Sequence, residues 1–178
     1  MAGLALLSVA PLLSATSSIT FTLSEDTFIR PLMHTSPVET ELERRHHTNR
    51  ALPSLIGFTR NGLAIIFTTY PLSIATAAAN LARHDANVNI SAHAATRPRV
   101  AAGFYLAGLI FSVLHFPFGP GAMRHLNHVK DDMGVEGDPG ADNTASMVSW
   151  LRINSTRAFV ADLPSWTCYF VAFMVAMS

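Results

Sequence analysis

The sequence has little charge and almost no cysteine. Asp, Glu, Lys and Arg make up 13% of its 178 residues, against about 25% in an average soluble domain. Its twelve basic and twelve acidic side chains cancel, so the chain carries no basic excess that would indicate a nucleic-acid partner. Its one cysteine, Cys168, excludes an internal disulfide and a Cys-x-x-Cys metal site. We interpret Cys168 as a small packing residue.

Several catalytic motifs are also missing. The sequence contains no Gly-x-Ser-x-Gly nucleophile elbow, no P-loop and no dinucleotide-binding Gly-x-Gly-x-x-Gly. These absences disfavour a hydrolase, an ATPase and a nicotinamide-dependent enzyme. No repeat recurs at a fixed period, which disfavours a transporter built from repeated halves.

The chain is instead dominated by four apolar stretches that are almost free of charge, at residues 1–24, 61–82, 100–123 and 163–178. A helix needs about 20 apolar residues to cross the hydrocarbon core of a bilayer. The first three stretches meet that length, and the fourth does so if its helix begins near Arg157. We therefore predict an all-α fold, a four-transmembrane-helix up-down bundle in one integral membrane domain over residues 1–178. The spans are expected near residues 3–24, 61–82, 100–121 and 157–177.

The ends and connections of these spans carry further signals. The first stretch has no basic segment before its apolar run, so we expect it to be retained as a span and not cleaved as a signal peptide. In the first connection, Ser36-Pro37 precedes a charged run and predicts a short amphipathic helix over residues 37–50. Residues 83–99 are expected to be irregular, residues 134–140 to form a flexible loop, and Pro117 and Pro120 to bend or end the third helix.

The distribution of basic residues predicts the orientation. The first and third connections lie on one side of a four-span protein and hold nine Arg and Lys residues, whereas the second holds three. The positive-inside rule then places the long connections in the cytoplasm and both termini in the lumen, in the endoplasmic reticulum membrane. The sequons at Asn89 and Asn154 fall on opposite sides, and this orientation makes Asn89 the lumenal one.

Ionisable groups within apolar stretches are costly and are therefore functional candidates. His115 lies inside the third stretch, and Asp162 lies at the start of the fourth span. Histidine can act as a general base for a membrane-dissolved substrate, or bind copper or iron, although these spacings match no metal signature. The structural alternative is a polar clamp between helices. We predict no metal site and no organic cofactor, and the candidate catalytic residues are His115, His125, His128, Asp162 and His47.

A polar face leads into the last span. Trp150, Asn154 and Arg157 are spaced by four and three residues, so they share one side of a helix. A guanidinium with a neighbouring amide can stabilise an oxyanion, and an indole can stack on flat rings.

With these residues in place, the chain resembles the anthrone oxygenase-like family of small four-span membrane proteins from fungal secondary metabolism. The resemblance covers most of the chain and rests on Phe58-Thr59-Arg60-Asn61-Gly62, Phe116-Pro117-Phe118, Asn127, and Trp150 with Asn154 and Arg157. It implies oxidation of an anthrone to an anthraquinone by O2 as co-substrate, without flavin or nicotinamide. It adds Asn127, Arg60 and Phe116 to the face above, so the predicted substrate-binding residues are Arg157, Asn154, Trp150, Asn127, Arg60 and Phe116.

Three functions stay open at this point. The first is this oxygenase, with a histidine as base and Arg157 and Asn154 stabilising the enolate. The second is an enzyme of the same fold that cyclises or isomerises a polyketide or terpenoid by acid–base chemistry and consumes no O2. The third is a non-catalytic membrane scaffold. The expected partners are the lipid bilayer and a small hydrophobic substrate, and homo-oligomer formation is left open.

Overall fold

A computed structural model describes residues 2–33, 40, 43, 49–90, 96–131 and 143–178. Every secondary-structure element in this described part is helical. Four helical segments in it are long and apolar enough to cross a membrane, namely Ala2–Ile29, Asn61–Arg83, Arg99–Asp131 and Asn143–Met177. The predicted all-α class with four membrane-length helices is confirmed.

The six α-helices of the described part are α1 (Ala2–Ile29), α2 (Ile56–Ile90), α3 (Thr96–Leu114), α4 (Gly119–Asp131), α5 (Asn143–Arg157) and α6 (Leu163–Met177). Short 3-10 turns follow α1 at Arg30–Met33, precede α2 at Leu52–Leu55 and separate α3 from α4 at Phe116–Phe118. A π turn, Ala158–Asp162, joins α5 to α6. It lies just before Pro164, which has no N–H to donate to the preceding turn.

The first of two compact units consists of Met1–Thr20, Ile65–Phe116 and Ala158–Ser178. Its core is made of small and aromatic side chains, Ala15, Ala77, Ala101, Tyr105, Tyr169 and Ala172. Small residues allow helices to approach closely in a membrane, where close packing and hydrogen bonds hold helices together. Hydroxyls add such bonds between α1 and α2, because Ser14 Oγ donates to the Thr69 carbonyl at 2.6 Å and Ser18 Oγ to Thr69 Oγ1 at 2.7 Å.

The second unit consists of Phe21–Ala64 and Pro117–Arg157. α4 packs on α5, and the buried core is Ile29, Met33, Leu52, Ala122, Leu126, Val129, Met147, Trp150 and Leu151. Asn49 holds the start of α5, since its Oδ1 accepts a hydrogen bond from the Thr144 backbone N–H at 2.9 Å. This bond satisfies one of the N–H groups that a helix leaves unpaired at its beginning. The single integral membrane domain stays a prediction.

Some expectations for the connections were wrong and some fall outside the described residues. Residues 83–90 are helical, because α2 continues to Ile90, so the prediction of an irregular segment there is wrong. A charge such as Arg83 ends an apolar stretch, but it does not end a helix. The prediction that Pro117 and Pro120 interrupt the third helix is confirmed, since α3 ends at Leu114 and α4 begins at Gly119. Most of the predicted helix over 37–50 and the loop over 134–140 lie outside the described residues.

Candidate functional site

His115 and Asp162 form a buried pair within the first unit. The imidazole Nδ1 lies 3.0 Å from Asp162 Oδ1, and the two residues are 5% and 3% exposed. His115 follows directly after α3, and Asp162 is the last residue of the π turn before α6. In this geometry a neutral imidazole donates its Nδ1 proton to the carboxylate, and Nε2 is then the basic atom of the ring.

Two aromatic rings surround the imidazole. The centroid of the Tyr70 ring lies 3.6 Å from that of His115, with the planes inclined by 36°. The Phe116 ring meets His115 edge-on at 5.8 Å. Tyr70 is buried, whereas Phe116 is 40% exposed. The pair thus lies in apolar surroundings, where its electrostatic interaction is stronger than in water.

A second group of buried polar residues lies in the other unit. Arg157 donates from Nη1 to Asn154 Oδ1 at 3.1 Å and from Nη2 to Thr22 Oγ1 at 2.9 Å. Asn154 Nδ2 donates to Glu25 Oε2 at 3.4 Å. We call these four residues (Thr22, Glu25, Asn154 and Arg157) the Arg157 cluster. Its guanidinium and carboxylate are linked through the amide of Asn154, so two opposite charges share one buried network.

Thr22, Glu25 and Tyr70 are residues that sequence reasoning missed. Glu25 is the first ionisable side chain of the chain, and its charge suggests the end of the first span. In the structure α1 continues to Ile29, and Thr22, Glu25 and Ile29 are all buried on it. Their spacing of three and four residues was a signal for a continued helix face. Tyr70 carries no charge and gave no signal within its apolar stretch.

Comparisons with known proteins relate the chain to fungal epoxidases. It is 29% identical over 181 residues to "Epoxidase pydX" of Acremonium sp, covering 98% of this chain and 96% of the relative. It is 30% identical over 179 residues to "Epoxidase gkaX" of Penicillium citrinum, covering 98% and 97%. For "Probable epoxidase scpX" of Mollisia scopiformis the identity is 27% over 179 residues, covering 97% and 96%. The chain belongs to this epoxidase family. No family model matches it, and no solved structure does.

Membership of the epoxidase family tests some of the functions that were expected from the sequence. The prediction of an enzyme is confirmed, and a fungal family of the oxygenase type agrees with it. The resemblance to a fungal secondary-metabolism family is confirmed at that coarse level. The relatives are named epoxidases, so the family does not specifically point to anthrone oxidation.

The predicted site residues of this epoxidase-family chain fall into separate groups. His115 is brought together with Asp162 and Phe116, and Asn154 with Arg157. Trp150 is buried in the core of the second unit. The remaining predicted residues are His125, half-buried on α4; His128 and Asn127, exposed on α4; Arg60, whose backbone lies in α2; and His47, which lies outside the described residues.

Copper or iron bound by histidine is the alternative to a histidine base that the sequence leaves open. Within the described ranges, no three His, Cys, Asp or Glu side chains lie close enough together to hold a metal ion. The absence of a resident metal and of an organic cofactor stays a prediction, which metal analysis of the purified protein tests.

Proposed function

We propose that this chain is a membrane-embedded epoxidase of fungal secondary metabolism. It uses O2 to oxidise a carbon–carbon double bond of a hydrophobic, polyketide-type substrate. The observation that carries this proposal is the similarity, over 96% or more of both lengths, to relatives named epoxidases. The four apolar helices support a substrate that is dissolved in the bilayer.

In this proposal the His115–Asp162 pair is the base. His115 Nε2 removes a proton from a substrate carbon that a conjugated carbonyl makes acidic, and Asp162 stabilises the imidazolium that forms. A buried imidazole held 3.0 Å from a carboxylate supports this role. The chemistry needs no flavin, because an electron-rich carbanion passes electrons to O2 directly.

In this route O2 supplies both oxygen atoms and the substrate supplies all of the electrons. The carbanion adds O2 and becomes a peroxide anion. The terminal peroxide oxygen then adds to an electron-poor double bond, the O–O bond breaks as the epoxide closes, and the released alkoxide takes the proton back from His115. One oxygen atom of O2 is in the epoxide and the other in a hydroxyl group.

The anthrone oxygenation that the sequence resemblance implies shares the first half of this route. Deprotonation and addition of O2 are the same, and the peroxide then loses water to give a carbonyl. We favour epoxide formation because the relatives are named for it. Binding of a negatively charged substrate oxygen by Arg157 and Asn154 stays a prediction from the sequence, based on the several N–H donors of a guanidinium.

The first prediction concerns the base. In membranes that contain the expressed chain, His115→Ala should abolish epoxide formation, and Asp162→Asn should lower kcat about 100-fold or more, since the carboxylate holds the imidazole in its working tautomer. Labelling with 18O2 should place label in both the epoxide and the new hydroxyl group, without an added reductant.

Lys130→Ala is the control, because it removes an exposed ionisable side chain of α4 that has no predicted role in the reaction, and it should leave turnover unchanged. Full turnover by His115→Ala would remove this residue as the base. A strict requirement for a reduced nicotinamide, with a single labelled oxygen in the product, would replace the carbanion route by a reductant-driven one.

A further inference from the structure

A chain of three buried hydroxyl groups lies beside the His115–Asp162 pair, between α3 and α6. Ser112 Oγ is 2.7 Å from Ser165 Oγ and 3.0 Å from the phenol oxygen of Tyr169. Ser165 Oγ donates to the Gly108 carbonyl at 3.0 Å. All three side chains are buried. We call Tyr169, Ser112 and Ser165 the hydroxyl chain.

The direction of these hydrogen bonds follows from counting protons. The single hydroxyl proton of Ser165 is used on the Gly108 carbonyl. Ser165 Oγ is therefore the acceptor towards Ser112, whose own proton is used in that bond. Tyr169 must then donate its phenol proton to Ser112. The chain runs from Tyr169 through Ser112 and Ser165 to a backbone carbonyl.

A carbonyl at the end of the chain has consequences for what the chain can do. An amide carbonyl does not take up and pass on a proton at neutral pH. The hydroxyl chain therefore does not conduct protons to or from the His115–Asp162 pair. It does connect the two helices that carry the pair. In an apolar interior such bonds have no competing water, and their geometry is kept.

The positions of the two serines relate the hydroxyl chain to the pair. Ser112 precedes His115 by three residues, and the Ser112 carbonyl accepts the His115 backbone N–H at 3.4 Å. Ser165 follows Asp162 by three residues, in the first turn of α6. Each serine is thus about one helical turn, on the order of 5 Å along the axis, from one member of the pair.

We propose that the hydroxyl chain positions the His115–Asp162 pair by fixing α3 against α6 one turn away from it. Ser112 and Ser165 are positioning residues for the base, and Tyr169 holds the Ser112 hydroxyl in its orientation. This inference rests on the proposed function in so far as the pair is the base. Its structural content, a serine bridge that keeps Nδ1 on Asp162, is measurable without substrate.

The test compares Ser165→Ala with Thr167→Ala in protein purified in lipid nanodiscs. The Thr167 hydroxyl is exposed and donates to the Leu163 carbonyl of its own helix, so its removal deletes a hydroxyl from α6 and leaves the bridge intact. Nitrogen-15 NMR of the histidine rings reports which nitrogen carries the proton, and the difference spectrum with His115→Gln identifies the signal of His115.

The expected result is a mixed tautomer for His115 in Ser165→Ala and the Nδ1–H form alone in wild type and in Thr167→Ala. In assays kcat should fall about tenfold for Ser165→Ala with an unchanged KM, since a small displacement of a catalytic group lowers the rate of the chemical step. Ser165→Thr, which keeps a hydroxyl, should restore most of both readouts.

Three outcomes would overturn either the positioning role of the hydroxyl chain or the proposed function. An unchanged His115 tautomer in both Ser165→Ala and Ser112→Ala overturns the inference, and Ser112→Ala replaces the first variant if that one does not fold. A changed solvent isotope effect in Tyr169→Phe with an intact tautomer also overturns it, in favour of proton transfer along the chain. If His115→Ala keeps full turnover, the proposed function fails, while the tautomer comparison still supports or overturns the positioning role.

Discussion

At the scale of the residue, the missing side chain of Gly108 leaves the space that the Tyr169 ring needs to reach Ser112. A Cβ atom at Gly108 would lie 2.5 Å from Cε1 of the Tyr169 ring, which is far inside van der Waals contact. Tyr169 is fully buried, and its phenol oxygen lies 3.0 Å from Ser112 Oγ, so moving the ring aside would strain this hydrogen bond. Gly103, on the same helix, has nothing within 4 Å of an added Cβ.

Gly108→Ala should therefore destabilise the protein by about 1–3 kcal/mol, because overpacking forces the ring aside. Gly103→Ala should be neutral or stabilising by up to about 1 kcal/mol, since alanine favours a helix in open surroundings. Thermal unfolding in detergent measures both changes. Equal effects of the two substitutions would show that the tyrosine ring is not confined by this glycine.

Residue-level reasoning from the sequence singled out ionisable residues inside apolar stretches, but it did not show which residues they contact. His115 and Asp162 stood out because a charge in an apolar stretch is costly. Their pairing could not be predicted, because they are 47 residues apart and only the packing of α3 on α6 brings them together. Glu25 was missed because its charge suggested the boundary of a span that continues for another turn.

At the scale of the element, α1 contains a proline whose missing hydrogen bond is replaced from another helix. Pro11 lies inside α1 and has no N–H to donate to the carbonyl of Leu7. The fully buried Asn80 of α2 donates from Nδ2 to that carbonyl at 2.7 Å and to its own helix at the Thr76 carbonyl at 2.9 Å. In hydrocarbon, a carbonyl without a partner costs several kcal/mol.

A double-mutant cycle tests this compensation. Asn80→Leu should destabilise the wild type by about 1–2 kcal/mol, because the Leu7 carbonyl loses its donor. In the Pro11→Ala background the same change should cost clearly less, since the introduced alanine supplies a backbone N–H to that carbonyl. Thermal unfolding of the four proteins in detergent measures the difference.

Ser17→Ala is the control for this cycle. It removes an exposed hydroxyl that donates to the Leu13 carbonyl within α1, and it should change stability little. A cost of Asn80→Leu that is the same in both backgrounds would mean that Asn80 does not substitute for the missing proline donor.

Helix existence was predictable from the sequence, but helix ends were not. Charge-free stretches mark the part of a helix that lies in lipid, and helices such as α2 continue beyond it. The π turn before α6 also left no signal beyond Pro164. Arg157 comes directly before this turn and Asp162 ends it, and each of them has hydrogen-bond partners elsewhere.

At the scale of the whole molecule, composition was sufficient to predict the fold class. Low charge and four long apolar stretches led to four membrane-length helices, which the described residues contain. The lengths of the helices do not predict the orientation of the chain in the membrane, because a helix is equally long in either direction. Asn154 is buried and hydrogen-bonded, so its sequon does not serve as a glycosylation site in the folded protein.

The proposed orientation gives a final prediction. A glycosylation tag added at the amino terminus should acquire a glycan in the endoplasmic reticulum, and the same tag inserted within residues 132–142 should not, because most basic residues lie in the long connections. Endoglycosidase digestion and gel mobility measure both. A glycan on the inserted tag alone would reverse the orientation.

The exposure of Phe116 next to His115 affects how this enzyme has to be assayed. The 40% exposed ring of Phe116 lies edge-on to the imidazole, with 5.8 Å between the ring centroids, and we expect substrate dissolved among the acyl chains to reach the proposed base past this ring. Turnover should then follow the mole fraction of substrate in the lipid and not its amount per litre. Added detergent or carrier lipid should slow the reaction by surface dilution, even where protein and substrate totals are held constant.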